Sequence, residues 1–89
     1  MRAVISVIGR DNIGIVAKIS AECAACGINV VEVTQSVLSD LFAMIMLADI
    51  GGMTVSFEEF STSMQALGND IGMQIHVMHE DIFNSMHRI

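Results

Sequence analysis

Two nearly continuous apolar runs constrain the fold of this chain more than any other feature of its sequence. The runs cover residues 3–8 and 41–48, and Ser6 is their only polar member. Each run is shorter than the roughly 18 residues that a membrane span needs. Each is long enough, however, to form a buried strand. We therefore predict two central strands of one sheet.

Weaker patterns surround these runs and predict the remaining elements. Residues 28–38 read as a strand in which Val31 and Val33 alternate with Glu32 and Thr34, and residues 73–79 read as a fourth strand. A helical pattern begins at Ile13 and predicts a first helix, which Gly27 ends. Its predicted apolar face holds Ile13, Val16, Ile19, Ser20, Cys23 and Ala24.

A second amphipathic helix is predicted after residue 56. Ser56 and Glu59 have the spacing of a capping box, and apolar residues then recur every three or four positions as far as Ile71. Residues 80–89 predict a short helical tail whose apolar side carries Ile82, Phe83 and Met86. This tail is expected to pack on its own domain or on a dimer partner.

The element order β-α-β-β-α-β predicts an α+β, ferredoxin-like fold, with a four-stranded antiparallel sheet and two helices on one face. Right-handed crossovers give the strand order fourth, first, third, second. Glu32, Gln35, Gln74 and His76 make the second and fourth strands polar enough for sheet edges. The expected division is one domain over residues 1–79 and the tail over residues 80–89.

The turn between the first strand and the first helix, residues 8–16, is the best candidate for a ligand site. Asp11 or Asn12 can act as the N-cap of the helix, and Gly14 removes a side chain where the helix begins. Backbone N–H groups at the positive end of a helix favour a carboxylate or a phosphate. The alternative is that Gly14 only allows the helix to lie close to the sheet.

Composition restricts the partners. In 89 residues, 53% are hydrophobic and the mean hydropathy is +0.62, which is more apolar surface than a small monomer easily buries. We therefore expect a homodimer. The net charge of −6 and the absence of a basic cluster argue against nucleic acid and anionic membranes as partners. RNA recognition by the sheet is also disfavoured, because Phe42 is the only aromatic residue in a predicted strand.

The sequence contains no readable catalytic or metal-binding set. Cys23 and Cys26 lie at the end of a helix, where the dipole does not stabilise a thiolate, so we interpret them as structural thiols rather than a redox pair. Two reduced cysteines, with no signal-peptide pattern before the first strand, predict a cytoplasmic location. His76 and His79 point to opposite faces of a strand. A site formed by His79, Asp81 and His87 would need the tail to fold back, so no metal, cofactor or enzymatic activity is predicted.

Three segments carry a resemblance to a known family. Residues 9–16 read GRDNIGIV, residues 26–30 read CGINV, and residues 79–89 read HEDIFNSMHRI. With the split βαβ pattern, they make the whole chain resemble an ACT domain. It is most similar to the small stand-alone ACT proteins of uncharacterised function in bacteria and archaea, and more distantly to the ACT domains of the glycine cleavage system repressor.

This resemblance implies a regulatory domain that senses a small molecule, commonly an amino acid. In ACT proteins two domains often pair through the edge of the second strand, and the effector lies at that interface. Carried onto this chain, the resemblance implies ligand contacts from Asp11, Asn12, Ile13, Gly14, Ile15 and Gln35. With no enzyme in the sequence, regulation is expected to act in trans on another protein. The alternative is a ligand-free module for protein–protein interaction.

Overall fold

A computed structural model of the chain describes residues 1–10 and 14–86. The elements are β1 (Arg2–Arg10), α1 (Ile15–Ala25), β2 (Asn29–Leu38), β3 (Leu41–Asp49), α2 (Phe57–Ile71), β4 (Met73–His79) and α3 (Glu80–Met86). The strands form one antiparallel sheet in the order β2-β3-β1-β4. The predicted ferredoxin-like fold and its strand order are confirmed.

The core lies between the sheet and the two long helices. Alternate residues of the central strands face the helices and are fully buried, as Ile5 and Val7 of β1 and Met44 and Met46 of β3 illustrate. Phe60 of α2 is buried against them. The side chain of Ser63 in α2 also donates a hydrogen bond to the Glu22 carboxylate in α1, which links the two helices.

The termini of the helices follow local sequence rules. Ser56 occupies the N-cap of α2, and its hydroxyl oxygen accepts a hydrogen bond of 3.0 Å from the Glu59 backbone N–H. Gly27, with φ of 73°, ends α1 as predicted. The α1 start differs from the prediction, however, because Gly14 occupies the N-cap position. The assignment of that position to Asp11 or Asn12 was therefore wrong.

The buried face of α1 also differs from the prediction. Ile15, Ile19 and Cys23 are buried at a spacing of four residues, whereas Val16 and Ala24 are exposed. Several apolar residues cluster around the start of this helix, so the spacing of apolar residues is compatible with more than one buried face. Because the helix begins at Ile15, the face that is buried against the sheet is the one that carries Ile15.

The second strand departs from the predicted alternation. A β-bulge between Val30 and Glu32 leaves Val31 without a Cα partner on β3, and Val31 and Val33 are 48% and 41% exposed. Although α1 contacts β2, the side chains of Val33, Gln35 and Val37 on the inner face of this edge strand are exposed.

No helix among the described residues is both long and apolar enough to cross a membrane. The tail helix α3 contacts β1 and β4 of the same chain. It is anchored by Arg2, whose Nη2 lies 2.8 Å from a carboxylate oxygen of Glu80.

Candidate functional site

The first turn of α1 has no side-chain cap within the described part of the chain. Gly14 adopts a left-handed conformation with φ of 83°, and its carbonyl accepts a hydrogen bond of 3.0 Å from the Lys18 N–H. The N–H groups of the three residues between them precede the first i→i−4 bond of the helix. The first turn also lacks an acidic residue. Its donors and its positive dipole end are thus available to an anion.

Gly14 is required by the backbone rather than by packing. A Cβ atom added to Gly14 would meet nothing within 4 Å. The alternative explanation, that this glycine lets the helix approach the sheet, is therefore wrong. A positive φ is costly for residues with a side chain, and glycine removes that cost.

An uncovered apolar surface lies on the neighbouring edge strand. We define the β2 shelf as Val33, Gln35 and Val37, whose register partners on β3 are Met46, Met44 and Phe42. The β3 partners are buried beneath the helices, whereas the three shelf residues are exposed; Val37 retains 55% of its accessible surface. The shelf therefore presents one amide between two valines on the helix side of the sheet.

Topology brings the start of α1 and the shelf to the same end of the sheet. Leu41 pairs with Arg10 at the end of β1 and with Leu38 at the end of β2. Nε of Arg10 lies 3.8 Å from Oδ2 of Asp40 in the β2–β3 turn. The chain leaves β1 toward α1 at this end, and α1 contacts β2.

The structure thus places some of the predicted site residues and not others. Gly14 stands at the start of α1, and Gln35 is exposed on the shelf. Ile15 is 3% exposed, so it can offer a ligand its backbone N–H but not its side chain. Asp11, Asn12 and Ile13 lie outside the described residues.

Sequence reasoning missed the apolar part of this region. Val16, which was assigned to the helix core, is 37% exposed in the first turn of α1. Val33 and Val37 are also available beside Gln35. The only hint in the sequence is the number of valines on a strand that otherwise has the polarity of an edge.

The cysteines do not form a reactive site. Burial raises the pKa of the Cys23 thiol from 9.0 to about 11, and the nearby Cys26 and Glu22 add to this shift. Burial also raises the pKa of Cys26, with further contributions from Glu22 and Glu59. Both thiols are free and buried. At neutral pH they are protonated, whereas redox chemistry requires the thiolate.

Surface clefts elsewhere have less specific chemistry. A cleft of about 630 Å³ at the start of α2 is lined by Ser56, Glu58, Glu59, Thr62 and Ser63. A second cleft of about 530 Å³ is lined by Met1, Arg2, His79, Glu80, Asp81 and Ile82, and Arg2 is already paired with Glu80. Within the described residues, no group of His, Cys, Asp or Glu is arranged to hold a metal ion.

A four-stranded sheet with this strand order and two helices on one face is a ferredoxin-like fold, which many protein families share. The ACT domain family model matches residues 2–78 of the chain. The chain belongs to the ACT domain family.

Individual relatives agree with this assignment. A UPF0237 protein of Methanocaldococcus jannaschii is 46% identical over 88 residues, which span 99% of this chain and 98% of the relative. The structure of an ACT domain protein from Streptococcus pneumoniae superposes with a TM-score of 0.81 at 30% identity, over 98% of both chains. A putative glycine cleavage system transcriptional repressor superposes with a TM-score of 0.75 at 19% identity, over 86% of this chain and 44% of the repressor. The last likeness is one of fold.

Proposed function

We propose that this chain is a regulatory domain that binds an amino acid or a similar small carboxylate at a homodimer interface. The observation that carries the proposal is the position of an uncapped helix start beside an open edge strand. The helix start supplies N–H donors for a carboxylate, and the β2 shelf supplies apolar contacts and one amide.

The β2 edge supports the homodimer. This strand is ten residues long, has no proline or lysine, and has no partner strand on its outer side among the described residues. Proteins usually protect such an edge by covering it or by placing charges on it. Antiparallel pairing of two β2 strands would satisfy the free backbone groups and form an eight-stranded sheet.

Pairing of this kind would also complete the ligand site. In one copy the shelf is open on the side away from β3, so a small ligand there would remain largely in water. A second copy would enclose it between α1 of one subunit and β2 of the other. Ligand binding would then stabilise the dimer and shift the equilibrium between monomer and dimer. A sensor needs an equilibrium of this kind that its ligand can shift.

The output of this domain would pass in trans to another protein. The two buried thiols suit a reducing compartment, in keeping with the predicted cytoplasmic location. We assign the regulatory role to residues 1–79 and treat residues 80–89 as an appended tail.

A thermal-shift screen against the twenty amino acids and common small carboxylates tests the proposal. A ligand at about 100 times its Kd stabilises the native state by about 2.7 kcal/mol, which raises the Tm of so small a domain by several degrees. Asn12→Ala and Gln35→Ala should each abolish the shift. Thr34→Ala, which changes the neighbouring residue on the opposite face of the strand, should preserve it.

The screen also separates the proposal from its alternative. If millimolar ligands leave the Tm unchanged, the ligand-binding function is wrong and the ligand-free interaction module takes its place. The exposed valines of β2 favour that alternative. In that case Asn12→Ala should have no effect on partner binding, whereas Val33→Lys should weaken it.

A further inference from the structure

The face of the sheet that points away from α1 and α2 carries an apolar surface that the proposed function does not use. We define the outer patch as Ile8, Leu41, Ala43, Ile45 and Leu47. Burial along β3 alternates, so its odd-numbered residues from 41 to 47 face away from the core. Ile8 of β1 pairs with Ala43 and faces the same way. Ile8, Leu41 and Ile45 are 44%, 46% and 38% exposed.

The tail helix covers only one end of this face. Val4 also lies on the outer face and is 4% exposed, yet it does not belong to the main core cluster. Since α3 contacts β1 and β4, it accounts for the burial of Val4. The outer patch lies beyond this cover. Contiguous apolar patches of this kind on small proteins commonly mark interaction sites.

We propose that the outer patch packs against the outer patch of a second copy of this chain, so that the two sheets stack face to face about a twofold axis. The proposal concerns a surface separate from the β2 edge. If both interfaces form, the assembly is a tetramer built from two edge-paired dimers.

The arrangement of large and small side chains favours a second copy as the occupant. Ile45 pairs across the strands with Ser6, and Ile8 pairs with Ala43. In these two pairs the large residue lies on opposite strands, so large and small residues alternate at the centre of the patch, whereas Leu47 and its partner Val4 are both large. Two sheets interdigitate when the large residues of one lie over the small residues of the other. An identical sheet brings the same pattern, so the surface is complementary to itself.

The distribution of charge agrees with this occupant. The outer patch contains no charged residue. Arg2 and Arg10 lie at the two ends of β1, and each is paired with an acidic residue of its own chain. Glu32 lies on the edge strand. Stacking two copies would therefore place the charges at the rim and leave an apolar centre, as in other protein interfaces.

The available area is close to what association needs. With strands about 4.8 Å apart and a rise of about 3.3 Å per residue, the face of all four strands along residues 41–47 covers roughly 440 Å². Two such faces bury about 900 Å², close to the lower limit of about 1,000 Å² for a specific interface. Ile82 and Met86 of α3, 52% and 58% exposed, extend the apolar surface beside the patch.

Sedimentation equilibrium of the full chain at micromolar concentration tests the proposal. The wild type should have four times the 9.6 kDa mass of one chain. Ile45→Glu should reduce the mass to that of a dimer, because it places a charge at the centre of the stacked sheets. Gln65→Glu, which adds the same charge at an exposed position of α2, on the other side of the sheet, is the matched control and should leave the tetramer intact.

A double variant of the β2 edge separates this interface from the proposed dimer. Val33→Lys with Val37→Lys should also give a dimer, but one held by the outer patch, and adding Ile45→Glu should then give a monomer. A wild type that is a dimer, dissociated by the β2 variant and unaffected by Ile45→Glu, overturns the stacking and leaves the regulatory dimer in place. A wild-type monomer overturns both interfaces.

If Ile45→Glu fails to fold, a more conservative substitution at the same position still tests the proposal. Ile45→Thr keeps the β-branched shape that strands favour and removes apolar contact area. Ile45→Thr should retain the circular dichroism spectrum of the wild type and the Tm of the subunit, and it should lower the association constant of the tetramer at least tenfold. A normal spectrum with an unchanged association constant would refute the stacking of the two sheets.

Discussion

Gly14 and Gly68 are glycines for different physical reasons. Gly14 has a positive φ and open space around it, so its role is conformational. Gly68 lies in the last turn of α2, where a Cβ atom would approach the Met73 carbonyl oxygen to 2.6 Å and Cγ1 of Ile75 to 3.1 Å. Gly68 therefore sets how closely α2 can pack on β4, although glycine is a poor helix former.

Gly68→Ala should destabilise the fold even though alanine favours helices. The overlap with β4 backbone outweighs a propensity gain of about 1 kcal/mol, and we expect a net loss of about 1–2 kcal/mol in the free energy of unfolding. Urea denaturation measures it. Asn69→Ala, at the exposed neighbouring position, is the control and should be neutral or slightly stabilising. A stabilised Gly68→Ala variant would contradict the close packing.

The buried thiol of Cys23 should make stability depend on alkaline pH. Below about pH 9 the thiol is protonated in both states. As the pH rises, the unfolded thiol ionises near 9.0, whereas the folded thiol keeps its proton until about 11. The folded state therefore loses about 2–3 kcal/mol across this window.

Urea denaturation between pH 8 and pH 11 measures this loss. The main background comes from Cys26, whose pKa burial also raises, because the chain has no tyrosine and a single lysine, Lys18. Cys23→Ala should reduce the alkaline slope, even if it lowers stability at every pH. An equal slope in the variant would show that the pKa of Cys23 is not raised.

At the scale of elements, the start of α2 is fixed by one side chain. Ser56→Ala removes the acceptor for the Glu59 N–H and should cost about 1 kcal/mol of stability. Thr62→Ala, at an exposed position within the same helix, is the control and should cost much less. Chemical denaturation of both variants gives the comparison, and equal losses would argue against the cap.

The elements were largely predictable from the sequence, and the failures share a cause. The 73–79 strand and the α2 cap follow from local patterns, since Ser56 and Gly72 bracket the helix. The face of α1 depends on where the helix starts, which Gly14 determines through a left-handed backbone rather than through a polar cap. The spacing of apolar residues in the sequence is nearly the same for either start of α1, so it does not distinguish them.

The exposure of β2 could not be predicted from local patterns. A bulge at Val31 changes the phase of the strand, and the contact with α1 leaves Val33 and Val37 exposed on its inner face. Both are consequences of how the elements are arranged in three dimensions. For the same reason the sequence identified the turn before α1 and Gln35 as candidates but missed the exposure of Val16, Val33 and Val37.

At the scale of the whole molecule, the chain has more apolar side chains than its own core buries. The sandwich buries its core between the sheet and two helices. What remains exposed is concentrated on the β2 strand and on the outer patch. We propose that the first surface forms a ligand-binding dimer and that the second stacks two sheets, which would make the monomer the least stable form of this protein.

Protein-observed NMR with ¹⁵N-labelled chain and millimolar amino acids tests the central claim most directly, because it reports both binding and its location. The account predicts that at least one amino acid shifts the backbone amides of Gly14, Ile15 and Val16, together with those of Gln35 on the β2 shelf. Amides near Arg2 and Glu80 should not move. Shifts confined to that second region, or no shifts with any amino acid, would contradict a ligand site at the start of α1.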